Sequence, residues 1–286
     1  MSRAHDPRST AAFDRAHDAL LATWPRPTTA ERIPTPHGTT HVLRHGAEDG
    51  PPVLLLPGGG ATAASWRTTA AALGATHRVH AVDLVGGPGR SRPGRRPIRT
   101  AADLTSWLDA LLDGLGLASA AFCGHSYGAW ITLTYALAAP DRTDRLALLD
   151  PTGCFAGFRP DYLLRALPTL LRPTPARTEA FLAWETGGAE HDPAVRRLDA
   201  LAAGLPRHRP VTGPRPKPAA LAALRPPTLL LVAERSRAHD PARVAARARA
   251  TVPGIETHVL PGATHHTLPS ALAAADLKRI DEFLKR

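Results

Sequence analysis

The chain has 286 residues, room for one large α/β domain or two small ones. Its apolar content is ordinary for a globular protein, and no run approaches the ~18 apolar residues of a membrane span. The net charge of +10 would suit a polyanion, but the basic residues are almost all arginines, scattered and without the interleaved aromatics that stack bases, which argues against nucleic acid.

Short apolar segments alternate with longer amphipathic ones. The first strand candidate is 40–43. The second, 53–56, reads Val53-Leu54-Leu55-Leu56 and is apolar on both faces, as a buried parallel strand is. Gly58-Gly59-Gly60 follows, then a helix over 66–73 and a strand over 79–82 that ends at Asp83. A Pro-rich loop carries Arg90, Arg92, Arg95, Arg96 and Arg99. It is read as a solvated face, with an acidic substrate or partner left open. Leu104, Trp107, Leu108, Leu111 and Leu112 show helical spacing within 101–115. A strand over 120–123, a helix over 127–139 and a strand over 146–149 come next.

From 151 to 227 the alternation stops. The stretch is helix-like, without a convincing strand, and is interrupted by Pro160, Pro168, Pro173, Pro175, Pro193 and Pro206. Its end, 206–218, is rich in Pro and basic residues (Arg207, Arg209, Arg215, Lys217) and reads as an irregular connection. Strands over 228–232 and 257–260 and helices over 241–250 and 271–284 complete the chain. The alternation predicts an α/β fold with a mostly parallel sheet covered on both faces. Residues 1–150 and 219–286 form the core, and 151–218 a helical cap inserted between two strands, too long for a plain loop.

Two cysteines, Cys123 and Cys154, make no disulfide framework, and Cys123 reads as a small core residue. Residues 1–6 lack the apolar core of a signal peptide, so the expected location is the cytoplasm.

The most informative run is Gly124-His125-Ser126-Tyr127-Gly128, a G-x-S-x-G pentapeptide between a strand and a helix. A serine that attacks a carbonyl must present its Oγ on a tight strand-to-helix turn. Such a turn crowds the backbone and asks for glycine on either side of the nucleophile. The helix N-terminus then favours a developing oxyanion.

This pattern resembles the α/β-hydrolase family over nearly the whole chain after about Trp24, and within it bacterial cap-bearing carboxylesterases. The resemblance implies an eight-stranded, mostly parallel sheet with a helical cap and catalytic groups at the carboxyl ends of strands. It places an oxyanion hole at the N–H groups of Gly59, with Gly60 as the alternative, and of Tyr127. Pro57 stands where the family usually has His. In Pro261-Gly262-Ala263-Thr264-His265-His266 it places the base at His265, with His266 as the alternative.

The acid departs from the pattern. The family commonly has it in the turn after 228–232, which here reads Ala233-Glu234-Arg235-Ser236, with serine at the carboxylate position. Asp150, at the end of 146–149, is the candidate replacement, since haloalkane dehalogenases among others carry their acid at this strand end. Asp240 and Glu234 are the competing carboxylates. Asp240 before Pro241 also reads as a helix N-cap. Asp83 is expected to brace the turn beside the oxyanion loop. Trp66, Trp130 and Trp184 are pocket or core residues.

The expected activity is a serine hydrolase cleaving a small carboxylic ester through an acyl-enzyme, with Ser126, His265 and Asp150 as the triad. No cofactor, metal, membrane or nucleic-acid partner is implied, and the oligomeric state is left open. Alternatives are peptide, lactone or thioester cleavage, perhydrolysis, or an inactive hydrolase fold that binds a ligand.

Overall fold

The computed structural model describes residues 7–205 and 210–286. In chain order the elements are α1 (Pro7–Leu21), β1 (Thr28–Thr35), β2 (Gly38–Gly46), β3 (Pro52–Leu56), α2 (Arg67–Leu73), β4 (Arg78–Val82), β5 (Arg92–Pro93), α3 (Ala101–Gly114), β6 (Ala120–His125), α4 (Tyr127–Ala138), β7 (Thr143–Leu149), α5 (Pro160–Leu171), α6 (Pro175–Thr186), α7 (Pro193–Ala202), α8 (Pro218–Ala222), β8 (Thr228–Ala233), α9 (Pro241–Thr251), β9 (Glu256–Leu260) and α10 (Ala274–Lys285). Residues 1–6 and 206–209, with Pro206, Arg207 and Arg209, lie outside the description.

Eight strands follow the order β1-β2-β4-β3-β6-β7-β8-β9, and the short β5 pairs with β2 beside that path. From β4 to β9 all neighbours are parallel, while β1, β2 and β5 pair antiparallel. Side chains of a strand alternate between faces, and here the alternation divides two cores. Leu54, Leu56, Phe122, Leu146, Leu148, Leu230 and Val232 pack with α3, α4 and α9. Val53, Leu55, Cys123, Ala147, Leu149, Leu229 and Leu231 pack with α2 and α10. Both faces of the central strands are therefore dry, as their continuous apolar runs predict.

Local signals set the helix ends. Thr100 and Asp103 form a reciprocal capping box that starts α3. Pro160, Pro175 and Pro193 each sit in the first turn of a helix, α5, α6 and α7. Proline has no N–H to lose there and its φ is already helical. The described prolines that interrupt 151–227 thus divide it into separate helices, and among them only Pro168 lies inside one.

Three elements escaped the periodicity, among them the two-residue β5 inside the Pro-rich loop. β1 alternates poorly because it is an edge strand with mostly exposed side chains and Ile33 as its one buried residue. α1 is polar overall and buries Phe13 and Leu20 against α7 and the turn at Ala64. The expected helix over 66–73 is split into a 3-10 turn, Ala63–Trp66, and α2.

Candidate active site

Ser126 lies between β6 and α4 with φ 52° and ψ −113°, a sparsely populated conformation for a residue with a Cβ. Its N–H donates to the Leu149 carbonyl at 3.0 Å. The flanking glycines are required by contact. A Cβ on Gly124 would stand 2.6 Å from the Gly128 carbonyl oxygen, and one on Gly128 would stand 2.2 Å from the Leu56 carbonyl oxygen. The elbow therefore packs directly on β3, the strand that leads into the triple glycine.

His265 follows β9 in a 3-10 turn. Its Nε2 is 2.8 Å from Ser126 Oγ and its Nδ1 is 2.6 Å from Asp150 Oδ2. An ionised carboxylate only accepts hydrogen bonds, so Nδ1 carries the proton and Nε2 accepts from the serine hydroxyl. Ser126, His265 and Asp150 thus form one hydrogen-bonded chain assembled from β6, β9 and β7. All three are buried.

Asp150 is fully buried, with φ 42°. Each oxygen takes two donors. Oδ1 accepts from the Ala233 N–H and His239 Nε2, and Oδ2 from Ser236 Oγ and His265 Nδ1. Burial opposes its charge, but the partnership with His239 and His265 outweighs burial and holds the carboxyl well below the usual carboxylate range. Burial likewise pulls His265 down. The hydrogen bond to Asp150, the Asp150 charge and the Glu185 charge more than reverse it, so His265 sits above an ordinary histidine.

His265 is also fixed through its backbone. His125 Nε2 donates to its carbonyl at 2.9 Å. Burial, with the neighbouring His265 adding to it, depresses His125 to about 3, so this ring is neutral. Glu185, a fully buried carboxylate on α6, accepts the His265 N–H on Oε1 and the His266 N–H on Oε2, both at 3.2 Å. The sequence reading passed over Glu185, His239 and His125. One glutamate among several in a helix-like stretch, the His after Ser236 and the His inside the elbow carry no motif; only folding brings them to one loop.

The Gly59 N–H and the Tyr127 N–H are taken up by no described carbonyl or side chain. A Cβ on Gly59 would be 3.6 Å from the Tyr127 Cβ, so the two backbones are adjacent. Both border a cavity of about 830 Å³ that also exposes Ser126 and His265. Its walls come from the β3 turn, the loop before α3, and α5, α6 and α7. Asp83 ties the turn that follows the 58–60 loop to the loop after β4. Its carboxylate accepts the Ala63 and Arg90 N–H groups and pairs with His41, at 2.8, 2.8 and 2.9 Å.

The competing residues lie elsewhere. Asp240 caps α9 through the Arg243 N–H at 3.1 Å. Glu234 is exposed and accepts the Gly262 N–H at 2.8 Å. His266 borders the cavity, and the hydrogen bonds to Ser126 Oγ and Asp150 are made by His265 instead. Of the tryptophans, Trp130 lines the cavity, Trp66 is core, and Trp184 sits beneath Arg165 and Arg237. Arg90 is paired with Asp18, and Arg96 lies 3.9 Å from Asp103. Among the described residues no group of three or more His, Cys, Asp or Glu side chains is arranged to hold a metal ion. No described helix is long and apolar enough to cross a membrane.

A nucleophile elbow, a buried Ser-His-Asp chain and two free N–H groups on this sheet define an α/β hydrolase. The chain belongs to that family: the alpha/beta hydrolase family model matches residues 53–277. It is 29% identical over 264 residues to the carboxylesterase YbfK of Bacillus subtilis, covering 88% of this chain and 87% of the relative. The crystal structure of that carboxylesterase, CesB, superposes with a TM-score of 0.90 at 28% identity, over 97% of this chain and 98% of the other. That of naproxen esterase, also from B. subtilis, gives a TM-score of 0.88 at 27% identity, over 98% and 99%.

Proposed function

We propose that the protein is a carboxylic ester hydrolase that works through an acyl-enzyme on Ser126. The unbroken chain from Ser126 Oγ through His265 to Asp150 carries this reading. His265 Nε2 takes the hydroxyl proton as Ser126 attacks the acyl carbon, then gives it to the leaving alcohol. Asp150 fixes the Nδ1–H tautomer and supports the imidazolium. The N–H groups of Gly59 and Tyr127 receive the oxyanion, and the helix dipole of α4 adds to them. Water, activated by the same histidine, releases the acid.

Residues 151–218 act as the cap in this reading, because α5, α6 and α7 close the cavity opposite the elbow. Small esters fit the cavity volume. Related carboxylesterases of matching length support ester over peptide or thioester cleavage.

The test is labelling by a fluorophosphonate together with turnover of short p-nitrophenyl esters. Ser126→Ala should abolish both while the protein remains folded. A folded wild-type protein that is neither labelled nor active would leave the inactive, ligand-binding alternative.

A further inference from the structure

The cavity wall opposite the elbow contains one feature that ester cleavage does not use. Along α7 and its C-cap, Val195, Asp199 and Ala203 recur every four residues and line the cavity together. On α6, Thr178, Phe181 and Leu182 do the same. Helical spacing explains both faces. Among the described lining residues Asp199 is the one carboxylate, and there is no lysine, arginine or glutamate.

Asp199 Oδ1 is buried and has no hydrogen-bond partner. Three further buried polar atoms of lining residues share that status, His37 Nε2, Thr178 Oγ1 and His266 Nε2. Buried polar atoms are nearly always paired in native structures, so each unpaired one asks for a reason. An unpaired carboxylate oxygen shut away from water is the most costly kind, and the half-buried Asp199 side chain turns that oxygen inward. Asp199 is not held by an ion pair. Burial alone moves it, up to about 8, with no contribution from a charge on α1, α6 or α7. The ionisable groups that share its cavity are His37, His125, His265, His266, Tyr127 and Tyr162. On the helix pair itself, Glu179 lies 4.0 Å from Arg196.

We infer that Asp199 is the anionic half of a cation subsite, and that the ester accepted in this cavity carries an ammonium group. The inference rests on reading the cavity as an ester site. A cation supplies what the carboxylate lacks, and the unpaired Thr178 Oγ1 and His266 Nε2 of the same cavity can accept N–H groups of such a ligand. Phe158, Tyr162 and Phe181 border the same cavity and form a connected aromatic group, with ring centroids 5.7 and 5.3 Å apart. Aromatic faces favour cations. The sign of the pH effect follows. The free carboxyl keeps its proton up to about 8, an ammonium group binds the ionised form, and binding strengthens as pH rises through that value with release of a proton to solvent.

Binding is separated from catalysis by using Ser126→Ala protein. Two matched probe pairs are titrated calorimetrically above the raised value of Asp199. One pair is the p-nitrophenyl ester of ε-aminocaproic acid and that of heptanoic acid. The other is butyrylcholine and its neohexyl carbon isostere, which puts the charge on the alcohol side. With Asp199 intact, at least one charged probe should bind more tightly than its isostere. Asp199→Asn should reduce that preference at least tenfold, and Asp199→Leu, whose side chain suits the apolar wall, should do the same. Equal preference with Asp, Asn and Leu in both pairs would overturn the subsite. Turnover of the neutral isosteres by protein retaining Ser126 reads the esterase proposal separately, so the two can fail independently.

Discussion

The Ser236 hydroxyl donates a 2.7 Å hydrogen bond to Asp150 Oδ2, the oxygen that also accepts from His265 Nδ1. In the resemblance drawn above, Ser236 stands where the family commonly has its acid, and here its hydroxyl meets the same carboxylate as the imidazole does. A transplanted charge should therefore still reach His265. Asp150→Asn suits the positive φ, which Asn tolerates, and removes the charge. The comparable exchange in a serine protease triad costs about 10⁴ in kcat. A loss on the order of 10²–10⁴ is expected here, with labelling of Ser126 slowed in parallel. Adding Ser236→Asp should restore part of it. A fully active Asp150→Asn protein would remove Asp150 from the mechanism.

The same contacts fix the pH profile. In the proposed mechanism His265 works as a base only when neutral, and its affinity for protons is raised by Asp150 and Glu185. The acid limb of kcat/KM should then have its midpoint above the ordinary histidine value of about 6.5. Removing the Asp150 charge lowers the histidine, so in Asp150→Asn the residual activity should have its limb at lower pH. In stability the sign is opposite to a simple gain with pH. A raised His265 contributes most below its unfolded value, and that contribution is lost as pH rises through the folded value. A limb that stays in place after Asp150→Asn would show that another group controls it.

The central sheet was legible because β3, β6, β7 and β8 are dry on both faces, and nothing but burial produces such continuous apolar runs. The elbow was legible because Gly124 and Gly128 are demanded by backbone contacts. β1 was not, because an edge strand half in solvent has no need to alternate. Asp150 was legible as a candidate from the strand end at which similar hydrolases carry an acid, while His239 was passed over, because nothing local to His239 shows that it will meet Asp150. The missed contacts are those between residues far apart in sequence, such as Glu185 with the 265–266 backbone. Hydrophobic pattern specifies layers, and side-chain pairs across layers emerge only from the assembled geometry.

Glu185 leads to a separation of activity from stability. Its carboxylate holds two successive N–H groups of the histidine turn, yet burial raises its affinity for protons. The charged form is therefore a cost to the fold above its folded value, recovered as pH falls. Glu185→Gln retains one acceptor oxygen and removes the charge. The histidine turn should lose one tether, with kcat falling on the order of 10–10² and the acid limb moving down as the charge near His265 disappears. The melting temperature at neutral pH should be unchanged or higher. A lower melting temperature with unchanged kcat would make Glu185 a structural residue only.

The helices between β7 and β8 should be the less stable part of the molecule. α5 buries only Tyr162 and Ala166, and Leu164, Leu170 and Leu171 are 73%, 68% and 72% exposed. β7 and β8, by contrast, are buried along their apolar lengths and pair on both sides. Local opening draws on regions with little buried apolar surface, so amide exchange should be faster across Pro160–Leu171 than across Leu146–Leu149 or Thr228–Ala233. A ligand seated between these helices and the elbow adds contacts to both, and it should slow exchange in α5 and α6 while leaving the strands unchanged. Saturating Ser126→Ala protein with a tight, uncleaved ester provides that comparison. Equal protection of helices and strands without ligand would mean that this region unfolds only with the whole domain, and opening of α5 and α6 could then not be the route by which substrate enters.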